Sequence, residues 1–287
     1  MNNQQPSLVS ICIPVYNGAS FIEKTIESVL DQSYRNIELV ILDNASIDRT
    51  KEIVASYKDS RIRYILNPHN IEMRANWNKA LVEAKGDFVK LLPADDLIYR
   101  NCVERQVEVF QEFASENIAL VCSGRDIIDS AGKMIVSRKF YGVNGVVPGK
   151  TAVKKIVRSG TNRLGEPGAI LFRQDLLIKT GDFIADFPYV IDLNLWVKML
   201  LYGNLYVIPE SLCAFRVSLQ SASVNTRHLH SHDFSGFIKS LDANFYNLTS
   251  FDVFIGKINC FILEILRRLF YRFSKFIGIF YGKRKEN

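Results

Sequence analysis

Residues 8–18 read LVSICIPVYNG. The run from Leu8 to Tyr16 is apolar and rich in β-branched residues, without the alternation of a half-exposed strand. It predicts a strand buried on both faces, the kind found inside parallel sheets. Asn17-Gly18 turns the chain, and Ser20 with Glu23 has the spacing of a capping box for a helix that keeps its apolar period to about Gln32. A second strand is expected at Ile37–Leu42, a helix near Asp48–Tyr57, a third strand at Ile62–Asn67 and a helix over Glu72–Lys85, with Gly86 as its C′ stop. A fourth strand, Phe88–Leu92, runs into Pro93-Ala94-Asp95-Asp96. Four strands alternating with three helices predict an α/β fold with a mostly parallel sheet flanked by helices.

Ligands of such sheets sit beyond the carboxyl ends of the strands. The polar clusters fall there: Tyr16-Asn17, Asp43-Asn44, Asn67 to Asn70 and Asp95-Asp96. The second half is less regular. Strands are expected at Ile118–Cys122, Leu205–Ile208 and Leu212–Val217, and a hairpin or extended loop at Ile127–Val136. Gly165–Arg173 reads as a Gly/Pro loop entering a strand, and Asp192–Tyr202 as a helix stopped by Gly203. Residues 218–250 give no firm reading. Phe251–Tyr281 is apolar at helical spacing, with Lys257, Glu264, Arg268, Arg272 and Lys275 on one side of the wheel.

The chain has 287 residues, 48% hydrophobic and 23% charged, which excludes a disordered protein. From Phe251 onward eight Lys/Arg stand against three acids, so +5 of the net +6 lies in the tail. A near-neutral body with a basic apolar tail points to a membrane surface and away from nucleic acid. Five widely spaced cysteines without metal-ligand spacing read as reduced core thiols, and the polar start carries no signal-peptide pattern, so a cytoplasmic setting is expected. No apolar run reaches the ~18 residues of a spanning helix.

Three acids carry the chemistry. A paired acid after a strand suits Mg²⁺ or Mn²⁺, which take oxygen ligands from one or two carboxylates and substrate phosphates; the alternative for Asp95-Asp96 is a surface turn. Asp43 ends a strand where an acid commonly meets a ribose or a base edge; it also fits turn chemistry, with Ser46 as a helix cap. Asp192, at a helix start, is the best-placed general base for deprotonating an acceptor hydroxyl, and otherwise an N-cap. Glu166, in the Gly165–Gly168 loop, is an acceptor-side candidate.

The order Pro14-Val15-Tyr16-Asn17-Gly18, Asp43 to Asp48, Gly86-Asp87, Ala94-Asp95-Asp96 and Asp192 resembles family 2 glycosyltransferases across residues 7–217. The resemblance implies a GT-A fold, inverting transfer from a UDP- or dTDP-linked sugar, and a divalent metal. It implies donor contacts from Pro14, Val15, Tyr16, Asn17, Asp43, Asn70, Ala94, Asp95 and Arg216, metal binding by Asp95 and Asp96, and Asp192 as the base. Trp196, in the Leu195–Lys198 part of the match, joins the acceptor side. Pro93, Ile191, Asn44, Glu72 and Trp77 depart from the family pattern; none removes Asp95 or Asp192. With the basic tail, the expected acceptor is a glycan, lipid-linked, in polysaccharide assembly at the inner face of the cell membrane. The rivals are transfer to a polyprenyl phosphate and a silent nucleotide-sugar-binding scaffold. The chain divides into 1–217 (catalytic), 218–250 (acceptor side or linker) and 251–287 (an amphipathic helix that meets a membrane or packs). His228, His230 and His232 are read as an exposed loop.

Overall fold

A computed structural model describes residues 6–140, 142–184, 186–218 and 229–277, with side chains through 266 and at 269. The first half follows the alternation. Strands β1 (Val9–Val15), β2 (Ile37–Asp43), β3 (Ile62–Leu66) and β4 (Phe88–Leu91) pair in parallel in the order β3-β2-β1-β4. β1 and β2 are buried along their whole length, as strands covered by helices on both faces must be. Helix α1 (Ile22–Leu30) buries Ile22, Thr25, Ile26 and Val29, one helical stripe, against the sheet. Helices α2 (Thr50–Ser56) and α3 (Met73–Val82) complete the crossovers.

Pro14 can stand inside this sheet for a local reason. Val9 donates its N–H to Asn36 on the β2 side, so alternation puts the nitrogen of Pro14 on the β4 side. Pairing with β4 ends at Cys12 and Leu91, so the missing donor costs no ladder bond.

Beyond β4 come a short β5 (Leu97–Ile98) and α4 (Cys102–Glu112), then β6 (Ile118–Ile128), β7 (Met134–Arg138) and β8 (Gly145–Val147). Helix α5 (Gly149–Ser159), β9 (Ile170–Arg173), α6 (Leu177–Thr180), α7 (Ile191–Met199) and β10 (Asn204–Arg216) follow. The sheet continues β4-β9-β6-β10-β5, with β9 and β5 antiparallel to their neighbours and β6 parallel to β10. The result is a mixed, mostly parallel sheet between helices, with one apolar core on each face.

Several local expectations are corrected. The Ser20/Glu23 capping box does not form: α1 begins at Ile22 with no side-chain cap, and the amides of Gly18 and Ala19 bond to Thr50 Oγ1 and Asp48 Oδ2, each at 2.9 Å. These bonds tie the turn before α1 to the second crossover. Ser46 caps no helix; its hydroxyl accepts from the amide of Asn17. Gly86 is not a helix stop, since α3 ends at Val82. A Cβ there would lie 2.6 Å from the carbonyl of Leu8, so its role is close approach to β1. The two strands expected at 205–217 are one, bulged between Ile208 and Ser211 around Pro209.

The C-terminal part adds α8 (His230–Ser240), α9 (Ala243–Tyr246) and α10 (Ser250–Ile277). At the start of α10, Thr249 and Asp252 exchange bonds reciprocally, Thr249 N to Asp252 Oδ2 at 2.7 Å and Asp252 N to Thr249 Oγ1 at 3.2 Å. Asp252 is also ion-paired with Arg158 and Lys154 of α5. Burial opposes its ionisation, but the Thr249 amide and hydroxyl and these two cations hold it well below the usual carboxylate range. The stripe Asp252, Gly256, Cys260 and Glu264 faces the body, while Phe251, Phe254, Phe261, Leu266 and Leu269 are more than half exposed. Of the charged side expected on the wheel, Glu264 is buried and Lys257 half-buried, the side chains of Arg268, Arg272 and Lys275 lie outside those described, and the apolar side faces outward. Small and paired polar residues let α10 approach α5 closely; a Cβ on Gly256 would meet the carbonyl of Val157 at 2.3 Å. His230, expected in an exposed loop, lies wholly buried on α8. His232 is exposed, and His228 lies outside the described residues. All five cysteines are buried free thiols. No helix among the described residues is long and apolar enough to cross a membrane.

Candidate active site

The carboxyl ends of β1 and β2 meet through backbone and side-chain bonds. Asp43, the last residue of β2, accepts from the amide of Ser46 at 2.8 Å and from the Tyr64 hydroxyl at 2.6 Å. Burial and the neighbouring Asp43 push the Tyr64 hydroxyl up, so it stays a donor. Asn17 adopts φ 52°, a left-handed conformation that asparagine tolerates, and its side chain accepts from the amide of Ile47 at 2.9 Å. The turn after β1 and the turn after β2 are thus tied to each other. Tyr16 stands half exposed at this edge, while Pro14 and Val15 are buried within β1. Asn44 accepts from the amide of Ile71 at 2.9 Å and donates to its carbonyl at 2.7 Å, which holds the 67–71 loop and Asn70 beside them.

The acid loop after β4 is built from the inside. Thr25 of α1 donates to the carbonyls of Ala94 and Asp96, both at 2.9 Å. Asp96 is 1% exposed, and its carboxylate accepts the backbone N–H of Arg216 at 2.8 Å. Burial and then the adjacent Asp95 push its pKa well above the ordinary value. Arg216 donates through Nε to the carbonyl of Asp95 at 2.8 Å, and through a terminal nitrogen to the carbonyls of Asp129 and Ser130 at 3.0 and 3.2 Å; its guanidinium lies 4.8 Å from the Phe21 ring centre. Arg216 therefore stands beside Asp95 as a buried clamp on the loop. Asp95 is half-buried. Among the described residues no group of three or more His, Cys, Asp or Glu could hold a metal ion by itself. One carboxylate plus donor phosphates is the arrangement a hard divalent cation accepts, so the residues present fit it.

Asp192 lies in the first turn of α7 and is 8% exposed. One oxygen accepts the Leu193 amide at 2.8 Å and the other the Asn162 side-chain amide at 3.1 Å. Its pKa is pushed up to about 7 by burial, partly opposed by the Leu193 N–H, with Glu166 raising and Arg125 lowering it further. The segment before α7 is anchored from α8, where Asp233 accepts the Tyr189 amide at 2.9 Å.

Glu166 joins the two halves. It pairs with Arg125 of β6 at 2.5 Å, and its charge raises the pKa of both Asp96 and Asp192. Lys90, buried in β4, donates to the carbonyls of Gly168 and Ile170 at 2.8 and 3.0 Å, pinning the Glu166 loop to the strand that delivers Asp95. Asn162 closes the loop by exchanging bonds with Gly165. Through the charge of Glu166, the first turn of α7 and the acid loop after β4 share one electrostatic environment.

Trp196 does not belong to it. Its ring is fully buried, 5.1 Å from Phe172 and 6.0 Å from Phe183, so the acceptor-side expectation for Trp196 is corrected to a core role. Arg125, Asn162, Tyr64 and Lys90 are residues the sequence does not single out. A signal exists for one: Lys90 interrupts the apolar run Phe88–Leu92, where a lone charge must have partners.

Glu166→Gln tests the electrostatics. It removes a charge that raises the Asp192 pKa and releases Arg125, which lowers it. The acid limb of the kcat/KM profile is expected to move to lower pH; an unmoved limb would exclude coupling between these groups.

The chain matches the profile of Glycosyl transferase family 2 over residues 10–181. It is 30% identical over 246 residues to an uncharacterised glycosyltransferase of Rickettsia typhi, covering 83% of this chain and 74% of that one. It is 39% identical over 114 residues to a Bacillus subtilis protein, TuaG, named for a glycosyltransferase of teichuronic acid biosynthesis, covering 39% of this chain and 45% of that one. The fold is similar to that of S. aureus TarS 1–349 in complex with UDP-GlcNAc, with a TM-score of 0.66 at 16% identity over 83% of this chain and 69% of that one.

Proposed function

The chain belongs to glycosyl transferase family 2 and is a glycosyltransferase of GT-A fold, and from that premise we propose that it inverts the anomeric centre while moving a sugar from a nucleoside diphosphate to an acceptor hydroxyl. The observation that carries the reading is Asp192, whose pKa near 7 lets it take a proton at neutral pH. Asp192 removes the acceptor proton, the alkoxide oxygen bonds to the anomeric carbon, and the bond from that carbon to the diphosphate breaks, its electron pair leaving with the diphosphate. Tyr16, Asn17, Asp43 and Asn70, at the joined strand ends, hold the nucleoside. Asp95 would hold a divalent cation, Mn²⁺ or Mg²⁺, whose charge would neutralise the leaving diphosphate. Asp96, committed to the backbone of Arg216, supports that loop. Arg216 fixes Asp95 through its carbonyl, and Glu166 with Arg125 borders the acceptor side.

The similarity to TuaG supports a glycan acceptor in surface polysaccharide biosynthesis. The outward apolar side of α10 supports a lipid-linked acceptor and a peripheral position at the inner face of the membrane. In this division residues 1–217 form the catalytic domain, 218–250 the acceptor-side segment and 251–287 the membrane-associating part.

A panel of UDP- and dTDP-sugars tests the donor half by thermal shift, with and without Mn²⁺. A ligand at 100 times its Kd adds about 2.7 kcal/mol to apparent stability. The expected result is one donor that raises the melting temperature more with Mn²⁺ than without. A chain indifferent to every nucleotide sugar would reject the donor assignment. Binding that ignores Mn²⁺, without turnover, would favour a silent scaffold.

A further inference from the structure

Between α8 and α10, on the outer surface, lies an open cleft of about 420 Å³. Ser231, Ser235 and Lys239 line one wall at helical spacing i, i+4, i+8, so two hydroxyls and an amine stand along one face of α8. Lys257 of α10 lines the other wall, and His232 stands at the rim, 85% exposed with Nδ1 at 3.0 Å from Asp233. Gly236 also lines the cleft, and its Cα faces inward, since a Cβ there would meet the Phe187 ring at 2.5 Å. Among the described residues no carboxylate lines it. Two ammonium groups and two hydroxyls form a donor-rich set suited to phosphate oxygens.

The cleft also opens onto the apolar side of α10. Phe261 lines it and is 62% exposed, and it is continuous at helical spacing with Phe254, Ile258, Ile265 and Leu269. A contiguous exposed apolar face of this kind marks an interaction surface. Its occupant has to match a phosphate-binding cleft and a greasy strip side by side. A soluble phosphate compound leaves the strip uncovered. A second copy docked through the same face would bring four lysines together.

We infer that this cleft binds the phosphate headgroup of an anionic phospholipid while the Phe254–Leu269 strip enters the acyl boundary of the bilayer. The inference rests on the peripheral membrane position proposed above and adds the site that recognises the lipid. The cleft's α8 also anchors the segment before α7, since Asp233 accepts the Tyr189 amide.

The test is co-sedimentation of the full chain with phosphatidylglycerol vesicles and with phosphatidylcholine vesicles. Wild type is expected to bind the first and not the second. Lys239→Gln with Lys257→Gln is expected to weaken binding on the order of 30-fold, the effect of two basic residues at an anionic surface. A control pair with the same charge change on α1 and beyond α2, Lys24→Gln with Lys58→Gln, is expected to bind like wild type. Donor-induced thermal stabilisation in each variant reports folding and is independent of the lipid. Equal losses in the two pairs, or none in the first, would overturn the headgroup site while leaving the peripheral position standing. Failure of wild type to bind any vesicle would remove both and leave the donor chemistry untouched. Stabilisation by inorganic phosphate through the same lysines, with no preference for anionic vesicles, would assign the cleft to a soluble phosphate and overturn the inference.

Discussion

Asp192→Asn is expected to lower sugar transfer by ~10²–10⁴-fold, the usual share of a positioned general base, with donor binding unchanged. The amide keeps an oxygen for the Leu193 N–H but cannot accept the acceptor proton. In wild type, transfer should rise with pH and level off above about 7, where Asp192 is ionised. Stability should run the other way. A carboxyl whose folded pKa lies above its unfolded value supports the fold fully below the unfolded pKa of about 3.9. It loses that support as pH rises through the folded value. The variant should therefore melt higher than wild type at pH 8 and show less difference at pH 4, which separates lost chemistry from lost folding. Undiminished transfer by the variant would remove Asp192 as the base, and would favour an acceptor that is already anionic, such as a polyprenyl phosphate.

Asp95→Asn is the second large effect. Replacing the carboxylate keeps the carbonyl that Arg216 grips, so the loop should stay in place. Charge stabilisation of the leaving diphosphate is worth several kcal/mol, so transfer should fall by ~10²–10³-fold at 1.36 kcal/mol per factor of ten. Donor binding should lose its dependence on Mn²⁺. Asp96→Asn serves as the comparison, since its carboxylate is committed to the Arg216 backbone. That variant should alter melting temperature more than metal dependence. A donor affinity that still responds fully to Mn²⁺ in Asp95→Asn would place the cation elsewhere.

The apolar runs at Val9–Val15 and Ile37–Asp43 announce doubly covered strands, and the turn residues after them announce where ligands gather. These are local signals, each spent within about ten residues. Asp43, Asp95 and Asp192 are legible for the same reason, because each sits at the end or start of an element whose limits the chain itself encodes. Arg125 and Asn162 have no such marker, and the lone charge of Lys90 in an apolar strand says that it needs partners without saying which. Their partners lie about 30 to 80 residues away in sequence, and only the antiparallel insertion of β9 between β4 and β6 brings them together.

The amphipathic tail shows the same limit. A helical wheel sorts residues by polarity, and polarity ordinarily predicts the outward face. In α10 that rule fails because Asp252 is satisfied by Thr249, Arg158 and Lys154, and Gly256 permits close approach, so the polar stripe turns inward. Which residues can form strands and helices, and where acids meet the sheet edge, follow from the sequence alone, through periodicity and turn chemistry. The pKa of Asp192, the different surroundings of Asp95 and Asp96 and the outward face of α10 belong to the tertiary structure, since burial and long-range partners set the energy of a charge.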